Sequence, residues 1–271
     1  MTSPLLADPK SGHPAPELVA LDIDGTLLYA DQQLAAGVRG AVRRAATRSH
    51  VVLATGRTIL GTKNVAERLG LSAGYAVCSN GAVIVALDTW QPVEVTTFDP
   101  GPAVRLLLDY VPDALVAVED LGVGNRVNAP FPPGELSGLQ TVEPIESLIA
   151  EPVARVVIHH PGWTAERLNE VVSGVGLHGV TYAVGTTAWL DLAPAGVTKA
   201  AGLERVRGWL DVPLERTLAV GDGRNDVEML QWAHRGLAMG NALADVCDAA
   251  DEVIGHIDDG GVTVELDRLF G

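Results

Sequence analysis

The apolar run Leu18-Val19-Ala20-Leu21 stops on Asp22-Ile23-Asp24-Gly25, and that junction constrains the fold more than any other stretch of the chain. A short apolar run of this kind reads as a buried strand, and Gly25-Thr26 as its exit turn. Residues two apart on an extended chain share a side, so Asp22 and Asp24 converge at one strand end. Two unpaired anions there repel each other and lose hydration. A divalent cation with a phosphate relieves both costs, which makes the junction a candidate phosphoryl-transfer site. The ordinary alternative is an Asp-Gly turn with both acids in solvent.

Three further segments follow the same plan in a fixed order. Val51-Val52-Leu53-Ala54 ends on Thr55-Gly56-Arg57, and helical spacing follows from Thr58 to Leu69. The Thr55 hydroxyl suits a phosphate oxygen, and Gly56 allows close backbone approach; the ordinary reading is Thr55 as a helix cap. Lys199 follows a Pro194 and Gly196 loop, at the start of a helix expected from about Thr198. A lysine in a first helical turn opposes the helix dipole unless an anion compensates it. Leu218-Ala219-Val220 runs into Gly221-Asp222-Gly223, and Asn225-Asp226 opens the next helix. Hard oxygen ligands from a strand end and a helix start suit Mg²⁺. A helix-capping Asp pair is the plainer account, and it leaves the paired acids around a glycine turn unexplained.

Taken together, DIDGTL (22–27), TGR (55–57), SNGA (79–82), Lys199 in GVTKA and GDGRNDVEML (221–230) resemble the haloacid dehalogenase superfamily, specifically its Cof-type phosphatases with a C2B cap. LAMGNA (237–242) and DDGGV (258–262) are similar to that family's C-terminal stretch. The resemblance covers nearly the whole chain from Glu17 onward. It implies an α/β fold, a Rossmann-like parallel sheet core with an inserted α+β cap, and a Mg²⁺-dependent hydrolysis of a small soluble phosphomonoester such as a sugar or cofactor phosphate. On the resemblance and its strand-end position, Asp22 is the expected nucleophile. Asp24 is the expected acid and base, its metal contact running through its backbone carbonyl. Asp22, Asp24, Asp222 and Asp226 form the expected metal set, Asp226 either as a ligand or as an orienting residue, with Asn225 beside it. Thr55 and Lys199 are expected on the phosphoryl oxygens, with the Ile23 and Gly56 amides as further donors. Asn80 and Gly81 are expected near the substrate or its phosphate. A phosphomutase of the same superfamily and a non-catalytic phosphometabolite sensor are the competing readings.

Alternating strand-like and helical segments, with strand-like runs at 18–22, 51–54, 75–78, 217–221, 236–239 and 252–254, indicate a parallel sheet. The motifs fall at the carboxyl ends of those strands, where open α/β sheets bind ligands. Between Thr55 and Lys199 the chain is far longer than one crossover needs. Its surplus carries strand-like runs at 93–97, 115–119, 154–159 and 180–184 and reads as an insert. The expected division is a loose tail over 1–16, a catalytic core over 17–88 and 190–271, and a cap over 89–189, with 122–138 as a long cap loop. In the cap, Arg155 is a candidate substrate contact, although a solvated strand residue is the preferred reading, and His159 and His160 read as ordinary cap residues.

The formal charge of −15, from 19 basic and 34 acidic residues, argues against nucleic acid and anionic membranes as partners. Positive charge must then be gathered locally, by a metal with Lys199, Arg57 and Arg224. The two cysteines, Cys78 and Cys247, read as buried thiols without metal-ligand spacing. No apolar run reaches the length of a membrane span, and a reducing cytoplasm is the expected location.

Overall fold

The computed structural model describes residues 15–177, 179–184 and 188–271; the tail expected over 1–16 lies outside them apart from its last two residues. The strands are β1 (Leu18–Leu21), β2 (His50–Ala54), β3 (Tyr75–Cys78), β4 (Val83–Ala86), β5 (Pro92–Val95), β6 (Leu115–Asp120), β7 (Gly124–Val127), β8 (Leu139–Val142), β9 (Val156–His159), β10 (Val180–Val184), β11 (Trp189–Pro194), β12 (Thr217–Gly221), β13 (Arg235–Ala238) and β14 (Glu252–Val253). The helices are α1 (Val38–Ala46), α2 (Ile59–Leu69), α3 (Gly101–Tyr110), α4 (Ile145–Leu148), α5 (Ala165–Val175), α6 (Lys199–Trp209), α7 (Val227–Trp232), α8 (Ala244–Cys247) and α9 (Gly261–Phe270).

Eight strands form one sheet in the order β14-β13-β12-β1-β2-β3-β4-β5. It is parallel from β14 to β3, and the hairpin strands β4 and β5 add antiparallel at one edge. β1 lies inside this sheet, Leu21 opposite Leu53 on one side and Val220 on the other. Its side chains alternate between two cores. Val19 and Leu21 pack with Val38 and Val42 of α1, Val65 of α2 and Leu266 of α9. Leu18 and Ala20 pack with Leu203 of α6, Met229 of α7 and Val246 of α8. Covered on both faces, the strand can be apolar at every position.

A second sheet, of order β10-β11-β9-β6-β7-β8, is built from the chain between β5 and α6. Val116, Val118, Val156, Ile158, Leu190 and Leu192 point to one face and pack on α3, α4 and α5. The period of two sends Ala117, Glu119, Arg155, Val157, His159, Trp189 and Asp191 to the other. Among the described residues that face carries none of the second sheet's own helices, and it turns toward the carboxyl end of the first sheet, where the start of α2 meets Glu119.

Three expectations about this region need correcting. The run at 93–97 is not part of the second sheet: its strand is β5, held to β4 by the register Val83 opposite Val95. Local alternation cannot distinguish a hairpin edge strand from the first strand of an insert. Residues 190–194, expected in the core, belong to β11 and pair with β9 and β10. The stretch 122–138 is not one loop, since it contains β7. The thiols also differ from one another. Cys78 is buried beside Thr62, and burial pushes its pKa up to about 12, whereas Cys247 is only half-buried. Among the described residues, no helix is long and apolar enough to cross a membrane.

Candidate active site

The carboxyl ends of β1, β2 and β12 meet in the middle of the parallel sheet, and each ends in a motif residue. Asp22 follows β1, Thr55 follows β2, and Asp222 follows β12. Asp226 reaches back from the turn preceding α7. Its Oδ2 accepts from the Asp222 and Gly223 amides at 3.0 and 2.9 Å. Carboxylate oxygens of Asp22, Asp222 and Asp226 lie within 4.8 Å of one another.

Lys199 enters this cluster from the first turn of α6, whose N-cap is Thr198. Its ammonium is fully buried and lies 2.6 Å from both Asp22 Oδ1 and Asp226 Oδ1. The two carboxylates therefore satisfy a cation that the helix dipole alone would disfavour. Burial opposes the charge on Lys199, but the paired acids outweigh it and hold its pKa above the ordinary 10.5. One lysine cannot neutralise both partners. Burial, reinforced by Asp226, keeps the Asp22 carboxyl well above the usual range against the pull of Lys199. Burial and then Asp226 likewise push Asp222 up to about 6.

Asp222 is oriented by two residues that the motif reading did not single out. Thr26 Oγ1 donates to its Oδ1 at 3.0 Å, and Asn241 Nδ2 to its Oδ2 at 3.2 Å. Asn241 follows β13 in the LAMGNA stretch, so the strand-end argument would have reached it. Gly25, at φ +83°, sits where an added Cβ would lie 2.1 Å from an Asp222 oxygen, so the approach of the two loops requires glycine there.

The other expected residues divide into two groups. Thr55 is buried, its hydroxyl oxygen accepting from the Arg57 amide at 3.1 Å. Thr58 rather than Thr55 caps α2, which leaves the Thr55 hydroxyl proton for the cleft. Asp22, Asp24, Thr55, Gly56, Arg57 and Asn225 all line a cleft of about 840 Å³ between the two sheets. Ile23 is buried beneath it. Asp24 stands at its mouth, half-exposed and ion-paired to Arg57, whose Nε lies 2.7 Å from Asp24 Oδ2. The Asp24 side chain thus stands apart from the three-carboxylate cluster.

Asn80 and Gly81 do not line the cleft. Asn80 acts through a neighbour: its Oδ1 accepts from Asn225 Nδ2 at 3.0 Å. Gly81, at φ +102°, supports the start of α6, because a Cβ there would lie 2.1 Å from the Thr198 carbonyl oxygen. Arg224 points away and pairs with Asp245 on the surface, so it adds no positive charge to the site. In the second sheet, Arg155 is buried rather than solvated and lines the cleft with Trp189, Asp191 and Glu135. No local signal marked Asp191 or Glu135. Their place follows from strand pairing across the second sheet and from a loop that folds over it. His159 is buried against the Ala188 carbonyl, and His160 stacks on Trp163.

The acids fit a divalent cation on their own chemistry. Among the described residues, Asp22, Asp24 and Asp226 are ion-paired only to Lys199 and Arg57, and burial followed by the neighbouring acids pushes Asp22 and Asp222 toward protonation. An all-oxygen donor set without cysteine or histidine suits Mg²⁺ rather than zinc.

The chain is similar to known proteins over most of its length. The family model described as haloacid dehalogenase-like hydrolase matches residues 19–116 and 143–266. The chain is 32% identical over 254 residues to the phosphoglycolate phosphatase of Natronomonas pharaonis, covering 92% of this chain and 96% of that protein. It is 27% identical over 267 residues to the 5-amino-6-(5-phospho-D-ribitylamino)uracil phosphatase YitU of Bacillus subtilis, covering 94% and 98%. A solved haloacid dehalogenase-like hydrolase from Bacteroides thetaiotaomicron superposes with a TM-score of 0.77 at 24% identity, over 94% of this chain and 100% of that one. A family match over most of its length and a relative of this identity and coverage establish that the chain belongs to the haloacid dehalogenase-like hydrolases.

Proposed function

We propose that the protein is a Mg²⁺-dependent phosphatase acting on a small phosphorylated metabolite through an aspartyl-phosphate on Asp22. The observation that carries this reading is the convergence of Asp22, Asp222 and Asp226 around the buried Lys199 ammonium, at the floor of an open cleft. Phosphatases acting on quite different phosphomonoesters are among its relatives, which supports the reaction class without naming the substrate.

In this reading an Asp22 carboxylate oxygen attacks phosphorus, and the bond from phosphorus to the ester oxygen breaks. Asp24 gives a proton to the departing alkoxide, then takes one from the water that attacks the acyl phosphate. That second displacement releases phosphate and restores the Asp22 carboxylate. Lys199 and Thr55 hold the phosphoryl oxygens. Asp22, Asp222 and the Asp24 backbone carbonyl would hold Mg²⁺. Both Asp226 oxygens are already engaged by Lys199 and the two amides, so Asp226 positions Asp222. When bound, the ion offsets the repulsion between these carboxylates and the substrate dianion. The chain from about residue 96 to 195 serves as the cap over the leaving group.

The test is phosphate release from para-nitrophenyl phosphate with Mg²⁺, by wild type and by Asp22→Asn. Turnover that depends on Asp22 supports the reading. No turnover by wild type, or full turnover by the variant, overturns it.

A further inference from the structure

A second cavity, of about 450 Å³, lies at the end of β9 and shares only Glu135 with the lining of the active-site cleft. His159, 6% exposed, forms part of its wall. Its Nδ1 lies 2.9 Å from the Ala188 carbonyl oxygen. A carbonyl oxygen only accepts, so Nδ1 carries the hydrogen and the neutral ring presents Nε2 as a lone pair. The rings of Phe131 and Trp189, with centroids 6.0 and 5.6 Å away, hold the imidazole in that setting.

His159 Nε2 lies 3.5 Å from Glu135 Oε2. A lone pair and a carboxylate oxygen both accept hydrogen bonds, so their approach needs positive charge between them. A second proton on the ring is one source, but a charge-assisted N–H···O contact closes to about 2.7–2.9 Å. A metal ion is the other. Zn²⁺ takes nitrogen at about 2.0–2.1 Å and carboxylate oxygen at about 2.0–2.2 Å, which at a tetrahedral angle sets the two atoms about 3.3–3.5 Å apart. The separation here matches the metal. A histidine that donates its other ring N–H to a backbone carbonyl is also the form in which imidazole ligates metals.

We propose that His159 Nε2 and Glu135 form a binding site for a divalent transition-metal ion such as Zn²⁺, with water from the cavity in the remaining positions. Imidazole favours such ions over Mg²⁺, so binding here requires neither the aspartate cluster nor phosphatase chemistry. The Glu135 amide closes a turn on the Pro132 carbonyl at 3.3 Å, and Asn125 Nδ2 donates to the Ser137 carbonyl at 2.9 Å. The loop joining β7 to β8 is thus fixed on either side of Glu135, and the ion ties its carboxylate to β9. Because Glu135 also lines the cleft, the ion pins one wall of the active site.

The experiment titrates Zn²⁺ into the full chain by calorimetry, with Mg²⁺ in excess, for wild type, His159→Asn and Glu135→Gln. Asparagine keeps a donor for the Ala188 carbonyl but offers no imidazole nitrogen, and glutamine keeps the shape of Glu135 without its charge. Both variants leave the three-aspartate cluster intact, so Zn²⁺ taken up there is common to all three proteins. The wild type should show a binding event that each variant weakens by about tenfold or more. Zn²⁺ should also slow amide hydrogen exchange over residues 134–138 in wild type and in neither variant. Equal Zn²⁺ binding by all three proteins would reduce His159 and Glu135 to a plain ion pair and overturn the proposal. So would a loss confined to one variant, or exchange over 134–138 that ignores Zn²⁺. If His159→Asn fails to fold, Glu135→Gln, altered only on an exposed loop, decides alone.

Discussion

The Ser79 hydroxyl donates to Glu119 Oε2 at 2.5 Å, tying the end of β3 to the cleft-facing side of the second sheet. The other Glu119 oxygen accepts from the Ile59 amide, at the first turn of α2, at 3.4 Å. A buried acid from one sheet is thus seated in the polar end of a helix that packs on the other. Burial raises the Glu119 pKa above its ordinary 4.5, against the pull of Arg155 and of these hydrogen bonds.

That shift gives a pH prediction with a definite sign. Because the folded pKa is raised, the stability due to the protonated acid is complete below pH 4.5, the value expected in the unfolded chain. It is lost as pH rises through the higher folded value. Glu119→Gln cannot titrate, and its amide oxygen can still accept from Ser79. Relative to wild type, the variant should gain stability as pH rises from 4.5 toward neutrality. Urea midpoints across that range measure it, and a pH-independent difference would mean that Glu119 does not titrate in the window.

Asp22→Asn should lower phosphate release by roughly a thousandfold or more, since the amide is a far weaker nucleophile. The fold should survive, because Lys199 keeps Asp226 as a partner. Activity within tenfold of wild type, with an unchanged circular dichroism melt, would take Asp22 out of the covalent step.

Lys199→Met should destabilise the protein by about 3–5 kcal/mol, the usual cost of stripping one partner from a buried ion pair. Asp22 and Asp226 would then face each other without a cation. Saturating Mg²⁺ should recover part of the loss by supplying positive charge to the same carboxylates. Denaturant melts with and without Mg²⁺ decide this. A variant as stable as wild type in chelator would show that the carboxylates simply take up protons.

Asp222→Ala should raise the Mg²⁺ needed for half-maximal activity by about tenfold or more, the scale on which metal-site substitutions act. Exhaustive chelation of wild type should abolish turnover. Overlapping Mg²⁺ titrations for the two proteins would exclude Asp222 as a ligand.

Asp22, Thr55, Lys199 and Asp222 could be read from the chain because each sits where an apolar run breaks into a turn, or a helix begins. That signal is local. Asp191 and Glu119 gave none, and Arg155 gave only a candidate contact with a solvated position preferred, since their meaning depends on which strands pair and which face they show. The run Arg155-Val156-Val157-Ile158 reads as apolar strand with a charged end, and only the pairing of β9 with β6 and β11 turns that charge into the cleft. The placement of β5 failed for a related reason: an edge strand and an insert strand carry the same alternation. Asn80 was found by its motif, but its link to Asn225 could not be, because it spans two segments far apart in sequence.

The position of β1 has a consequence for how the chain is made. Leu18 pairs with His50 on one side and with Thr217 on the other. The first neighbour leaves the ribosome soon after β1, but the second emerges only after every strand of the second sheet has been synthesised. Throughout that interval the nascent chain holds a wholly apolar strand with one edge unpaired, the form of exposed backbone that invites association between chains. The risk of aggregation in this architecture therefore falls during synthesis, and after β12 pairs with β1 the open edge passes to β12 and then β13 until β14 completes that side.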